Sequence, residues 1–351
     1  MANNTAFQDI YSTVQMQRVL EITFVPQDYI WKTFFKETNK SNTEYVQIDK
    51  FKHSRKLATF VAPVLQGRLV EKRGFYSDVL KPTYIKEKKV TQSYNLLRRP
   101  MGQSPYTPAK SPRAIAMEEL GKDTAELKDR VFRRIEAMCA EVLLTGKLVV
   151  QGDGIDLAYD YQMPAANTWY VGGSIPTSWA TSTADILGDI ENAGDEVKKA
   201  TGRVANVTLM GRNLFKHFRA NEDIRALLDN RRILSGEMKL SVLPKGIHYI
   251  GNIAEMDYYV YVEYYEDDAG NLVNVFDPDS AVVTSTDLRA SVEYGAIQDL
   301  EFAADIPAEW FLKSWLEKDP SAQMLLIQSA PLPVHHQMDG VIVLKPTTPT
   351  P

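Results

Sequence analysis

Apolar side chains recur at steps of three and four through Met117, Leu120, Thr124, Leu127, Val131, Ile135, Met138 and Val142. That period draws one continuous stripe along an α-helix. Ser111 and Pro112 supply a start, Ser as N-cap and Pro at the first helical position, and Gly146 stands where a left-handed cap stops the helix. A helix over 112–145 is about 50 Å long at ~1.5 Å per residue, well beyond the usual helix of a compact domain. Ahead of it, Pro100, Gly102, Pro105, Pro108 and Pro112 mark a linker.

The pattern changes elsewhere. Residues 6–22 carry a weak helical period in Phe7, Ile10, Tyr11 and Val14. A second patch at Tyr29, Ile30, Trp31, Phe34 and Phe35 gives the N-terminal arm (1–40) apolar surface that must be covered, either by its own core or by another copy. Residues 44–66 alternate as strands do. From Gly67 to Leu97 the chain is β-prone and poor in continuous apolar surface, with Gly74 and Pro82 at a tip, which predicts a two-stranded excursion over 67–97. An isolated hairpin is marginal in water, so this one should lie against another surface.

Beyond the long helix, residues 147–182 read as hairpins and loops. Thr181 to Asp185 opens a helix that Gly202 stops, Val204 to Met210 forms a short buried strand, and 212–230 holds one or two helices. Strands at His248–Ile253, Asp257–Tyr265 and Leu272–Phe276, with a turn at Asp267 to Asn271, complete a central α+β lobe over 181–290. Strands at Ala290–Ile297 and Met324–Ser329 return after a long excursion to pair near the long helix, so 41–66, 98–180 and 291–344 form a second lobe. The Pro/Thr tail, 345–351, is expected to fray.

Charge sharpens this picture. The 351-residue chain has a net charge of -5, yet Gly67–Arg99 holds nine basic residues (Arg68, Lys72, Arg73, Lys81, Lys86, Lys88, Lys89, Arg98, Arg99) against Glu71, Asp78 and Glu87. The segment is +6 and the remainder -11. A basic element of one copy could lie on an acidic surface of another, or simply form a solvated loop. No apolar run approaches the ~20 residues of a membrane span. The N-terminus lacks a signal-peptide pattern, so a cytoplasmic origin is expected.

Candidate chemistry fails on inspection. Cys139 has no Cys or His partner at metal-ligand spacing and reads as a small buried hydrophobe. His335 and His336 are adjacent and would point to opposite faces of a strand. Thr145-Gly146-Lys147 lacks the earlier glycine of a phosphate loop, and Leu148 stands where Ser or Thr should. Asp267, Asp268 and Asn271 miss calcium-loop spacing, with Pro278 at the twelfth position. The tyrosines between Tyr258 and Tyr265 read as core or interface. At a pI of 5.7 and without a standard motif, nucleic-acid recognition has little support. No metal, no cofactor and no catalytic set is expected.

Several words, in order, resemble the lambda-like major capsid protein family, also called the capsid protein E family. They are Phe24-Val25-Pro26, Phe34-Phe35-Lys36-Glu37, Val61-Ala62-Pro63-Val64-Leu65-Gln66-Gly67, Leu97-Arg98-Arg99-Pro100 and Asp229-Asn230-Arg231-Arg232. Later come Tyr294-Gly295-Ala296-Ile297-Gln298-Asp299, Pro307-Ala308-Glu309-Trp310 and Ile327-Gln328-Ser329-Ala330-Pro331-Leu332. The resemblance implies the α+β, Hong Kong 97-like phage capsid fold. Residues 1–40 would be its N-terminal arm, 67–97 its extended loop and 112–145 the spine of a peripheral domain. Residues 181–290 would be its axial domain.

It implies a non-enzymatic virion protein that forms homo-pentamers and homo-hexamers in a closed shell around double-stranded DNA. Scaffold, portal and decoration proteins are the implied partners, and the host cytoplasm the place before assembly. Phe7, Ile10, Trp31, Phe34, Phe35 and the nine basic residues are the subunit-contact candidates. A tail-tube or decoration component and a metal-dependent hydrolase are the rival readings.

Overall fold

In a computed structural model, residues 28–51, 57–63, 66, 67, 69, 75–92, 112–152, 154–226, 242–243, 247–253, 255–267, 269–301, 307–319 and 321–349 are described. The chain divides into two units.

The first unit draws on the chain up to Glu44, on Lys81–Ala140 and on Val292–Pro333. Helix α1, Tyr29–Phe34, is only six residues long. Its side chains Ile30, Trp31 and Phe34, with the following Phe35, are buried. A helix this short is unstable alone. Its free N-terminal amides are met by another helix, because the Glu136 carboxylate accepts from the N–H groups of Ile30 (2.8 Å) and Trp31 (2.9 Å). Glu136 belongs to α2, which occupies Pro112–Thr145, the bounds its apolar period marks. Along the stripe, Leu120, Thr124, Leu127, Val131, Ile135, Met138 and Val142 are all buried, and only Met117, near the start, is exposed. A second row, Phe132, Cys139 and Leu143, is buried beside it.

Three antiparallel strands make a sheet in the order Phe311–Lys318, Ser321–Ser329, Ile85–Gln92. Alternation along Ile85–Gln92 sorts its side chains. Glu87, Lys89 and Thr91 reach α2, bonding Arg130, Asp123 with Glu126, and Asp123 respectively. Lys86, Lys88 and Val90 are exposed. A further sheet joins Glu37–Lys40, Ala290–Tyr294 and Pro331–His335.

The second unit draws on Tyr45–Leu80, Glu141–Ser291 and Val334–Pro351. Its frame is a seven-stranded mixed sheet in the order Thr168–Val171, Ile342–Pro349, Ala281–Thr284, Val207–Met210, Met256–Tyr261, Ile247–Ile253, Val242–Leu243. The central strands Val207–Met210 and Ala281–Thr284 are buried at every position, as strands covered on both faces must be. Helix α3, Ile186–Thr201, starts at Asp185, whose carboxylate accepts from Gly188 N–H, and stops at left-handed Gly202. It packs Ile186, Ile190, Ala193 and Val197 onto a core shared with Leu214 and Phe218 of α4, Arg212–Ala220. Tyr258 and Tyr261 belong to the buried core, while Tyr264 lies in a separate hairpin and is exposed.

Two expectations are corrected. Among the described residues the excursion does not pair within 67–97: Val46–Phe51 pairs with Phe75–Leu80, while Ile85–Gln92 crosses to Ser321–Ser329. Its lysines suited a solvated hairpin equally well, and a pairing partner more than two hundred residues away leaves no local trace. The tail is not frayed from Lys345, since the strand Ile342–Pro349 pairs with Thr168–Val171. Thr is a good strand former, and the prolines are accommodated where the register breaks between Lys345 and Pro349.

Candidate assembly surfaces

The contact candidates fall into three groups. Phe7, Ile10, Arg68, Lys72, Arg73, Arg98 and Arg99 lie outside the described residues. Trp31, Phe34 and Phe35 are corrected: their apolar surface is buried inside the first unit, with the Trp31 ring 5.2 Å from Phe132. Phe132 in turn meets Trp310 edge-on at 5.5 Å, and Lys128 lies over the Trp310 ring. These contacts hold the segment 29–35 against α2 within one chain.

The remaining lysines differ among themselves. Lys81 pairs with Glu44 at 2.6 Å, and both are substantially exposed. Lys89 is held by Asp123 at 3.0 Å and by Glu126, so its charge is already used within the chain. Lys86 and Lys88 are exposed on the open face of the three-stranded sheet. With Glu301, Lys313, Trp315 and Leu326 they line an open cleft of about 490 Å³. Lys313 lies 2.6 Å from the buried carboxylate of Asp299, which also accepts from Gln328. Those bonds hold Asp299 below the usual carboxylate range against the opposing effect of burial.

A surface that charge alone did not single out lies on the excursion. Leu57 (94 %), Phe60 (104 %) and Leu69 (94 %) are essentially fully exposed, and Val61 is exposed as well. Four large apolar groups standing in solvent within thirteen residues is a pattern that soluble monomers rarely keep. The alternation predicts strands over 44–66, but among the described residues only Val46–Phe51 forms one, and Leu57, Phe60 and Val61 fall in the irregular stretch that follows.

Among the described residues there is no cluster of three His, Cys, Asp or Glu placed for a metal ion. The Cys139 thiol is pushed well up by burial, with Glu136 adding to it. His335 is buried and pushed down to about 3 by desolvation and by neighbouring His336, whose ring lies 3.0 Å from Ser291 Oγ. Asp267 accepts from the amides of Ala269 and Asn271, the bonds of a hairpin turn. No described helix is long and apolar enough to cross a membrane.

Comparison with known proteins decides what these surfaces belong to. The model of the family described as phage major capsid protein E matches residues 12–345. The chain belongs to the phage major capsid protein E family. Relatives include the major capsid protein of Escherichia phage lambda, 26% identical over 338 residues, with 92% of this chain and 95% of that one covered. The major capsid protein of Escherichia phage N15 is 25% identical, with 96% and 99% covered.

Among solved structures, a protein assigned as the capsid protein of a prophage of E. coli CFT073 superposes with a TM-score of 0.71. Identity there is 21%, covering 98% of this chain and 99% of that one. A phage-related protein of Bordetella bronchiseptica RB50 gives a TM-score of 0.53 at 10% identity, with 95% and 96% covered. The α+β architecture is thus the Hong Kong 97-like capsid fold. For a capsid E family member, an exposed apolar excursion fits a structural protein.

Proposed function

We propose that this chain is the major head protein of a tailed bacteriophage. Copies of it close, as pentamers and hexamers, into the icosahedral shell that encloses the double-stranded DNA genome. The observation that carries this reading is the family match across residues 12–345. The exposed Leu57, Phe60, Val61 and Leu69 support it, since each copy has apolar surface that only assembly can cover.

Stability of the shell then comes from many modest contacts repeated by symmetry, which permits error correction while it closes. Maturation is a rigid-body reorientation of subunits with contacts exchanged. The subunit carries out no chemistry and uses no cofactor. Scaffold, portal and decoration proteins are its partners, and assembly takes place in the host cytoplasm before the protein resides in the virion.

Negative-stain microscopy of the purified protein tests this. Closed, roughly spherical particles are expected, and open tubes or a permanent compact monomer would overturn it. The charge-reversed variant Lys72→Glu/Arg73→Glu should yield fewer capsomers. Normal particle yield would remove the basic segment from the assembly contacts.

A further inference from the structure

The strand Ile85–Gln92 is an edge: among the described residues its one partner is Ser321–Ser329. An edge strand offers a row of backbone N–H and C=O groups to any extended chain that meets it. Along its open face this one presents Lys86, Lys88 and Val90, all exposed, beside the cleft of Glu301, Lys313 and Trp315. Lys313 is already paired with Asp299 and Glu301, which leaves Lys86 and Lys88 as the cations facing the edge. Lys86 and Lys88 stand two residues apart, about 7 Å along the strand. A chain added at the edge would place every second side chain about 5 Å from them.

We infer that this edge receives an extended, carboxylate-bearing segment of a protein other than this chain, with Glu or Asp at alternate positions facing Lys86 and Lys88. Charge selects the chemistry. It argues against the basic segment 67–81, which carries Arg68, Lys72, Arg73 and Lys81 against Glu71 and Asp78. It argues equally against a second copy through its strands, because no described strand of this chain has two carboxylates two residues apart. The bland alternative is that the lysines only guard the edge against aggregation, as charged residues on edge strands commonly do.

The two readings separate under charge reversal, because glutamates guard an edge as well as lysines do. The probe is a fluorescein-labelled peptide of alternating Glu and Thr, eight residues long, titrated by anisotropy. Saturable binding to the wild-type chain is expected. Lys86→Glu/Lys88→Glu should weaken it by at least about tenfold while creating affinity for the matching Lys/Thr peptide. That exchange of preference also shows that the variant is folded.

A block peptide, four Glu followed by four Thr, should bind markedly less well, since strand addition needs the alternation. Equal binding of block and alternating peptides would overturn edge pairing in favour of diffuse attraction. Unchanged binding to the reversed variant would leave the lysines as guards. Binding to the dissociated chain but not to assembled particles would assign the edge to another copy and overturn the separate partner. The titration uses the purified chain whether or not it closes into shells, so failure of the shell and failure of the edge are read apart.

Discussion

Single side chains decide where this protein spends its stability. His335 is buried with its ionisation pushed down to about 3 from an ordinary 6.5. The folded state therefore keeps the ring neutral, while the unfolded chain takes up a proton below about pH 6.5. The contribution is fully present above that pH. It falls by up to about 1.4 kcal/mol per pH unit on acidification until the folded ring also protonates near pH 3. Urea midpoints measured from pH 7 to pH 4 should decline more steeply for the wild type than for His335→Gln. Parallel slopes would mean that the ring titrates freely. Glu136 is the second such residue, because its carboxylate closes the start of α1 from a different helix. Glu136→Gln keeps the shape and loses the charge-assisted acceptor, at a cost of about 1–3 kcal/mol in urea unfolding. The sequence stripe correctly assigned the faces of α2, but nothing in it marks Glu136 as a cap. The residues it caps lie 105 and 106 positions away, and capping across that separation has no local signature.

At the scale of elements, legibility follows how local the physics is. Helix α2 was readable to its ends because its period, its Pro112 start and its Gly146 stop are all contained within the segment. Gly146 shows why the stop is specific. Its φ is +66°, and a Cβ added there would fall 2.3 Å from Met163 Cβ. Gly146→Ala combines backbone strain with that clash and should lower the thermal midpoint, at a cost of about 1–3 kcal/mol. An unchanged midpoint would show that the turn relaxes freely. Strand pairing is the opposite case. Ile85–Gln92 has the composition of a solvated hairpin arm, yet Ser321–Ser329 claims it. Lys89, counted among the basic contacts on charge alone, is consumed by Asp123 and Glu126 of α2. Aromatic residues misled in the other direction. Trp31, Phe34 and Phe35 look like surface waiting for a partner until α2 supplies Phe132 and Glu136.

For the whole molecule, the residues that matter to assembly should be those that fold can spare. Leu57 and Phe60 are 94 % and 104 % exposed, so folding of the single chain gains almost nothing from their apolar surface. Replacing an exposed side chain typically shifts stability by within about 0.5 kcal/mol. Burying the same groups between copies recovers roughly 1.5–3 kcal/mol for each large apolar side chain. In a closed shell that gain is repeated at every equivalent contact. Leu57→Asp/Phe60→Asp should therefore leave the urea midpoint of the dissociated chain unchanged while particle yield in sedimentation collapses, because each contact would bury two carboxylates without partners. Core substitutions such as Ile135→Ala behave in reverse. Ile135 is fully buried, and its loss costs about 2–5 kcal/mol of folding before assembly begins. A variant at Leu57 and Phe60 that assembles normally would mean that the excursion remains uncovered in the particle. The apolar surface that closes the shell would then have to come from elsewhere in the chain.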